Sequence, residues 1–155
     1  MATGTGPQAA PALGEGAALA QSDNRGFRTT LDVAGHPLVA DEPRAVGGTD
    51  AGPSPYGLVS AALASCTAMT LHAYAKRKQL PVTGIRVLVR HAKVHATDCE
   101  DCEDSAGARI DRLESTIWIE GDIPDAARQR LLQIAGHCPV HRTLAGSVQI
   151  VTRAG

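Results

Sequence analysis

The stretch "PYGLVSAALASCTAMTL", residues 55 to 71, carries no charged side chain and constrains the fold more than any other segment. Leu58, Ala62, Cys66, Met69 and Ala73 recur at helical spacing, with Ser54 available as N-cap and Pro55 at the first helical position. A helix with small or apolar residues on every side needs cover around most of its circumference. The run is short for a membrane span, and Ser60, Ser65, Thr67 and Thr70 dilute it. A buried central helix is therefore expected, with no membrane as partner, ending near Gln79 ahead of Pro81.

The cover must come from the flanking segments. "VTGIRVLVRHAKVHAT" alternates Val87, Val89 and His91 against Leu88 and Arg90, the period of a long strand, and "RIDRLESTIWIEG" reads as a second. Upstream, "FRTTLDVAGHPLVADEP" holds two short β-prone runs around Ala34-Gly35, a hairpin signal, followed by the glycine- and proline-rich loop "PRAVGGTDAGPSP". Downstream, Pro124 opens a helix through Leu131, Leu132 and Ile134 that stops at Gly136, and "SVQIVT" is expected as a closing strand. The order β-β-α-β-β-α-α-β argues an α+β fold, a mostly antiparallel sheet packed on the long central helix.

Residues 1–18, rich in Gly, Ala and Pro, read as a flexible arm, and 19–155 as a single domain. Aromatic residues make up only 3% of the chain, so the core must be built largely from Ala, Val, Leu and Ile, and a partner subunit is expected to bury more. Fifteen basic residues balance sixteen acidic ones, with no basic stripe, which argues against nucleic acid as a partner. The first residues have neither a basic start nor a sustained apolar run, so a cytoplasmic, reducing location is expected.

Four cysteines then become the centre of interest. Cys138, in "HCPVHRTL", stands where a helix should begin, with Pro139 at its first position. Free backbone N–H groups, His137, His141 and Arg142 would all favour a thiolate there, although a small buried side chain starting a helix reads equally well. Cys66, inside the apolar helix, reads as core unless a cation reaches it. Cys99 and Cys102 form a C-x-x-C among acidic residues, which opposes thiolate chemistry and raises the question of a metal. On a strand rising about 3.3 Å per residue, His91 and His95 stand roughly 13 Å apart and cannot share an ion. That leaves His95, Cys99 and Cys102, with Asp98 or Glu103, as a weak candidate set beside the simpler reading of a solvated acidic loop.

"GGTDAGPSPYGLVSAALASCTAMTLHAYAKRK" followed by "HCPVHRTL" resembles the OsmC/Ohr family, in particular its OsmC-like redox branch, and the likeness runs from about residue 24 to 152. The resemblance implies an intertwined homodimer in which two central helices are flanked by six-stranded sheets, with active sites at the subunit interface. It implies reduction of organic hydroperoxides in oxidative stress defence, with Cys66 as peroxidatic thiol, Cys138 as resolving thiol, an external dithiol as reductant and no cofactor. An arginine from an N-terminal strand would activate Cys66; Arg25 aligns best and Arg28 second, while His141 or Arg142 would shape the site around Cys138. The family's peroxidases carry a glutamate after the helix-opening proline to hold that arginine, whereas here Tyr56 and Gly57 follow Pro55. An uncharged phenol orients a guanidinium less strongly than a carboxylate does. That departure keeps two other readings open: a non-catalytic binding protein for a small apolar or electrophilic ligand, and a metal or redox sensor using Cys99 and Cys102.

Overall fold

The computed structural model describes residues 12–95 and 109–154, so Cys99 and Cys102 lie outside the described residues. The contacts fall into two compact units, Met1–Pro55 and Tyr56–Gly155.

In the N-terminal unit, β1 (Ala18–Gln21), β2 (Thr29–Val33) and β3 (His36–Ala40) form an antiparallel sheet in that order. Val33 pairs with His36, which leaves Ala34 (φ 50°) and Gly35 (φ 89°) as a two-residue turn with both residues left-handed. That geometry matches the natural twist of the strands it joins, and the Gly35 N–H donates to Asp32 Oδ1 at 2.7 Å. The expected hairpin is therefore present. The strand β1 escapes sequence reading because "ALAQ" holds no β-branched or aromatic residue; pairing with β2, Ala18 against Val33, makes it a strand.

The loop after β3 folds around one carboxylate. Asp41 is 2% exposed and accepts from the Thr49 hydroxyl at 2.5 Å and from the backbone N–H groups of Glu42 (2.8 Å), Thr49 (2.9 Å) and Ala51 (3.1 Å). The Thr49 hydroxyl above all, helped by these N–H groups and opposed by burial, lowers the Asp41 pKa from 3.8 to about 2. Gly48 and Gly52 let the chain close on this anchor, since a Cβ at either would collide with the carbonyl of Glu42 or Val39.

The second unit begins one residue into α1 (Pro55–Arg77). The helix stops when Gln79 turns left-handed (φ 52°) and the Leu80 N–H reaches back to the Ala75 carbonyl at 3.0 Å, a helix-ending turn that usually takes glycine. Next come β4 (Val82–His95) and β5 (Arg109–Gly121), antiparallel with Ile85 opposite Ile119 and Val87 opposite Ile117. Then follow α2 (Asp125–Ala135) and α3 (Pro139–Ala145). One face of the hairpin supplies Ile85, Ile117 and Ile119 to a core shared with Leu71 and Ala75 of α1 and with Leu131 and Ala135 of α2. On the opposite face Arg86 lies over the Trp118 ring at 5.5 Å and pairs with Glu120 at 3.3 Å.

Two expectations need correction. The buried stripe of α1 is Leu63, Thr67, Leu71 and Ala75; Ala62, Met69 and Ala73 are exposed and Cys66 is half-buried. A helix apolar all round fits several registers equally well, so its periodicity alone does not choose the face. By length and composition α1 could cross a membrane, but Leu71 and Ala75 of its buried stripe pack against its own hairpin and α2. The second correction concerns "SVQIVT", which forms no strand: Val148, Ile150 and Val151 are exposed, Ile150 by 85%. Its alternation fits a strand, but the ladder needs a neighbouring edge, and no described strand of the same chain pairs with it.

Candidate functional site

Cys138 is the N-cap of α3, with Pro139 supplying the first helical residue, as the sequence suggests. Its sulfur is fully buried and accepts the backbone N–H of His141 at 3.2 Å, the position an oxygen usually takes at a helix start. A second donor comes from α1: the Thr67 hydroxyl, in a residue only 2% exposed, lies 3.5 Å from the same sulfur. The side chains of His137, His141 and Arg142 are exposed, so what His141 brings to the thiol is its backbone amide.

Cys66 precedes Thr67 on α1, about 100° around a helix of 3.6 residues per turn. It opens into a groove of about 510 Å³ walled by Ala62, Met69, Ala73, Pro139 and Val140. Neighbouring residues of one helix thus face neighbouring residues of one turn: Thr67 meets Cys138, and Cys66 shares its groove with Pro139 and Val140. Both thiols are free. Sequence reading counts Thr67 only as a polar dilution of the apolar run. The signal that could have found it is a lone hydroxyl spaced four residues from both Leu63 and Leu71, on what proves to be the buried stripe.

The arginines lie in the N-terminal unit, in the connection from β1 to β2. Arg25 is exposed and its N–H donates to Asp23 Oδ1 at 3.0 Å; Arg28, also exposed, immediately precedes β2. Tyr56, in the first turn of α1, stacks on the His91 ring with centroids 4.1 Å apart and planes 8° from parallel. Lys93 Nζ lies 5.8 Å from the centre of the Tyr56 ring, and His91 Nε2 is 2.7 Å from Asp111 Oδ1. A stacked aromatic pair beside a cation and a carboxylate therefore occupies the helix entrance. Among the described residues no group of three His, Cys, Asp or Glu side chains could hold a metal. The candidate set of His95, Cys99 and Cys102 falls on residues whose side chains are outside the description.

The antiparallel α+β frame thus carries one free thiol in an apolar groove and another capping the adjoining turn. The model of the OsmC-like protein family matches residues 48–153, more than half of the chain, and the chain belongs to that family. No curated protein matches it. Among solved structures it is similar to an OsmC-like protein of unknown function from Vibrio cholerae, with TM-score 0.64 and 15% identity over 86% of this chain and 95% of the other. It is also similar to OhrB, the organic hydroperoxide resistance protein of Bacillus subtilis, with TM-score 0.59 and 19% identity over 84% and 90%. A third is the organic hydroperoxide resistance protein OsmC of Legionella pneumophila, with TM-score 0.61 and 17% identity over 84% and 88%. At such identities the likeness establishes the fold.

Proposed function

We propose that this chain is a cytoplasmic, homodimeric thiol peroxidase that reduces organic hydroperoxides through Cys66 and Cys138. The observation that carries the reading is the apolar groove onto which Cys66 opens, walled by the two residues that follow Cys138. Such a groove suits the hydrocarbon part of an organic hydroperoxide better than it suits hydrogen peroxide, which is small and fully hydrated. Family membership and the names of two relatives add to it.

In this reading the Cys66 thiolate attacks the distal peroxide oxygen. The O–O bond breaks, an alkoxide leaves and is protonated to the alcohol, and Cys66 becomes a sulfenic acid. The Cys138 thiolate then attacks that sulfur and expels hydroxide, which is protonated to water, and the disulfide forms. Two thiols lose the two electrons that the hydroperoxide gains, and an external dithiol restores them. Arg25, or Arg28 in second place, is the cation this reading assigns to offset the cost of burying the Cys66 thiolate. A second copy is the expected cover for the exposed side of α1, with the Cys66 groove left open at the subunit interface, as the family resemblance implies.

The test is peptide mapping by mass spectrometry after one equivalent of cumene hydroperoxide, with hydrogen peroxide in parallel. A peptide joining Cys66 to Cys138, formed faster with the organic peroxide, supports the proposal. Two thiols that stay reduced refute it. A second reading is favoured by one observation: the family glutamate position holds Tyr56, stacked on His91, so no carboxylate stands there to clamp an arginine. A binding protein would hold a small apolar ligand in the Cys66 groove without turnover, and Cys66→Ser would then leave its affinity nearly intact.

A further inference from the structure

Thr67 is a buried hydroxyl in the middle of a helix, where such a group ordinarily bonds to the carbonyl four residues back. Here it lies 3.5 Å from the Cys138 sulfur, seventy-one residues away in the chain. With the His141 amide at 3.2 Å, two donors converge on one fully buried sulfur. One donor belongs to the turn that carries Cys138; the other belongs to α1, next in the chain to Cys66.

We infer that Thr67 is a positioning residue for the disulfide-forming step: its hydroxyl holds the Cys138 sulfur against α1, one residue along the chain from the cysteine it must join. The inference rests on Cys66 and Cys138 being a redox pair. Without the hydroxyl, the remaining donor is the His141 amide, which ties the sulfur to its own turn and leaves nothing to aim it at α1. A nucleophile that must first find its orientation reacts more slowly, because alignment no longer comes ready-made. Attack of Cys66 on the peroxide precedes this step and does not involve Cys138, so it is unaffected. The slower step leaves the sulfenic acid exposed longer, and a second peroxide molecule oxidises it to sulfinic acid, with a second alcohol as by-product.

The experiment compares Thr67→Val, which keeps the shape and removes the donor, with Thr67→Ser, which keeps the donor and removes the methyl. Thr67→Ala serves as a second loss-of-donor variant should valine perturb folding. Formation of the Cys66–Cys138 disulfide is followed by quenched-flow alkylation and mass spectrometry, once with excess cumene hydroperoxide and once with diamide, which oxidises dithiols without any peroxide chemistry. A neutral hydrogen bond of ordinary strength corresponds to a rate loss of about five- to tenfold. The expected result is that loss in Thr67→Val and Thr67→Ala with both oxidants, near wild-type closure in Thr67→Ser, more Cys66 sulfinic acid, and unchanged peroxide consumption in the first turnover. Equal rates in Thr67→Val and wild type overturn the inference. So does Thr67→Ser closing as slowly as Thr67→Val, because packing would then be the cause. If wild type closes only with diamide and in a hydroxyl-dependent way, the peroxidase reading falls while the role of Thr67 stands; closure with neither oxidant removes both.

Discussion

Leu131 and Leu132 are neighbours on α2, one fully buried and the other 48% exposed, and they make a controlled comparison of what holds the second unit together. Leu131 packs among Leu71, Ala75, Ile119, Ile123 and Ala135, so it joins two helices to the hairpin. Truncating it to alanine removes three carbons from a site with no water contact. At about 0.8 kcal/mol per buried methylene the transfer loss alone is roughly 2.4 kcal/mol. The small neighbours Ala75 and Ala135 cannot swing in to fill the space, so a cavity adds to this, and the total expected for Leu131→Ala is about 3–4 kcal/mol. With a urea dependence of about 2 kcal/mol per molar, the midpoint falls by roughly 1.5–2 M. Leu132→Ala is expected to stay within about 0.5 kcal/mol of wild type. Urea unfolding followed through Trp118, the single tryptophan, reads both. Protein concentration must be matched, because association of two copies adds to apparent stability. A midpoint drop below about 0.3 M for Leu131→Ala at unchanged slope would refute the claim that this cluster is the core.

Other perturbations probe the loop and the thiols. Asp41 has a folded pKa of about 2, below its ordinary 3.8, so its stabilisation is complete above the unfolded value and is lost as pH falls from near 4 through 2. Asp41→Asn should lower thermal stability at pH 7 and flatten the acid limb of the stability profile, and a variant with an unchanged limb would count against the assignment. Gly48→Ala and Gly52→Ala force a Cβ into the carbonyls of Glu42 and Val39, and are expected to lower the melting temperature measured by circular dichroism. Gly26→Ala, which meets nothing within 4 Å, should melt like wild type. Cys138→Ser is expected to consume a first equivalent of hydroperoxide and then accumulate Cys66 sulfinic acid, visible as a mass gain of two oxygens; a disulfide between Cys66 and any other cysteine would contradict the assigned pairing.

Sequence reading locates those elements whose signal is local. β4, β5 and α2 follow from alternation and helical spacing, the β2–β3 turn from Ala34-Gly35, and the start of α3 from Cys138-Pro139. It misses what depends on partners. β1 has no propensity of its own, "SVQIVT" has alternation and no edge to join, and the buried stripe of α1 is chosen by what packs against it. The same holds at the site. Cys66 and Cys138 stand out by type, and the family resemblance links them, but the part played by Thr67 appears only once α1 and α3 are folded together. Tyr56 shows the reverse case: the sequence marks it as a departure from the family, and the structure supplies its partner, His91.

The β4–β5 hairpin is much longer than the core that stabilises it. At about 3.3 Å per residue the fourteen residues of β4 extend roughly 45 Å, while α2, with eleven residues at about 1.5 Å each, covers some 16 Å. The core members Val82, Ile85, Ile117 and Ile119 all sit at one end of the ladder. Toward the other end, Tyr56 on His91 is an aromatic clasp partway along. The hairpin is therefore a zip fastened at its base. Amide exchange should be slowest around Ile85 and Ile119, quicken past the clasp, and be fastest near Val94 and Ile110, so that the ladder opens from its tip while the packed base keeps its register.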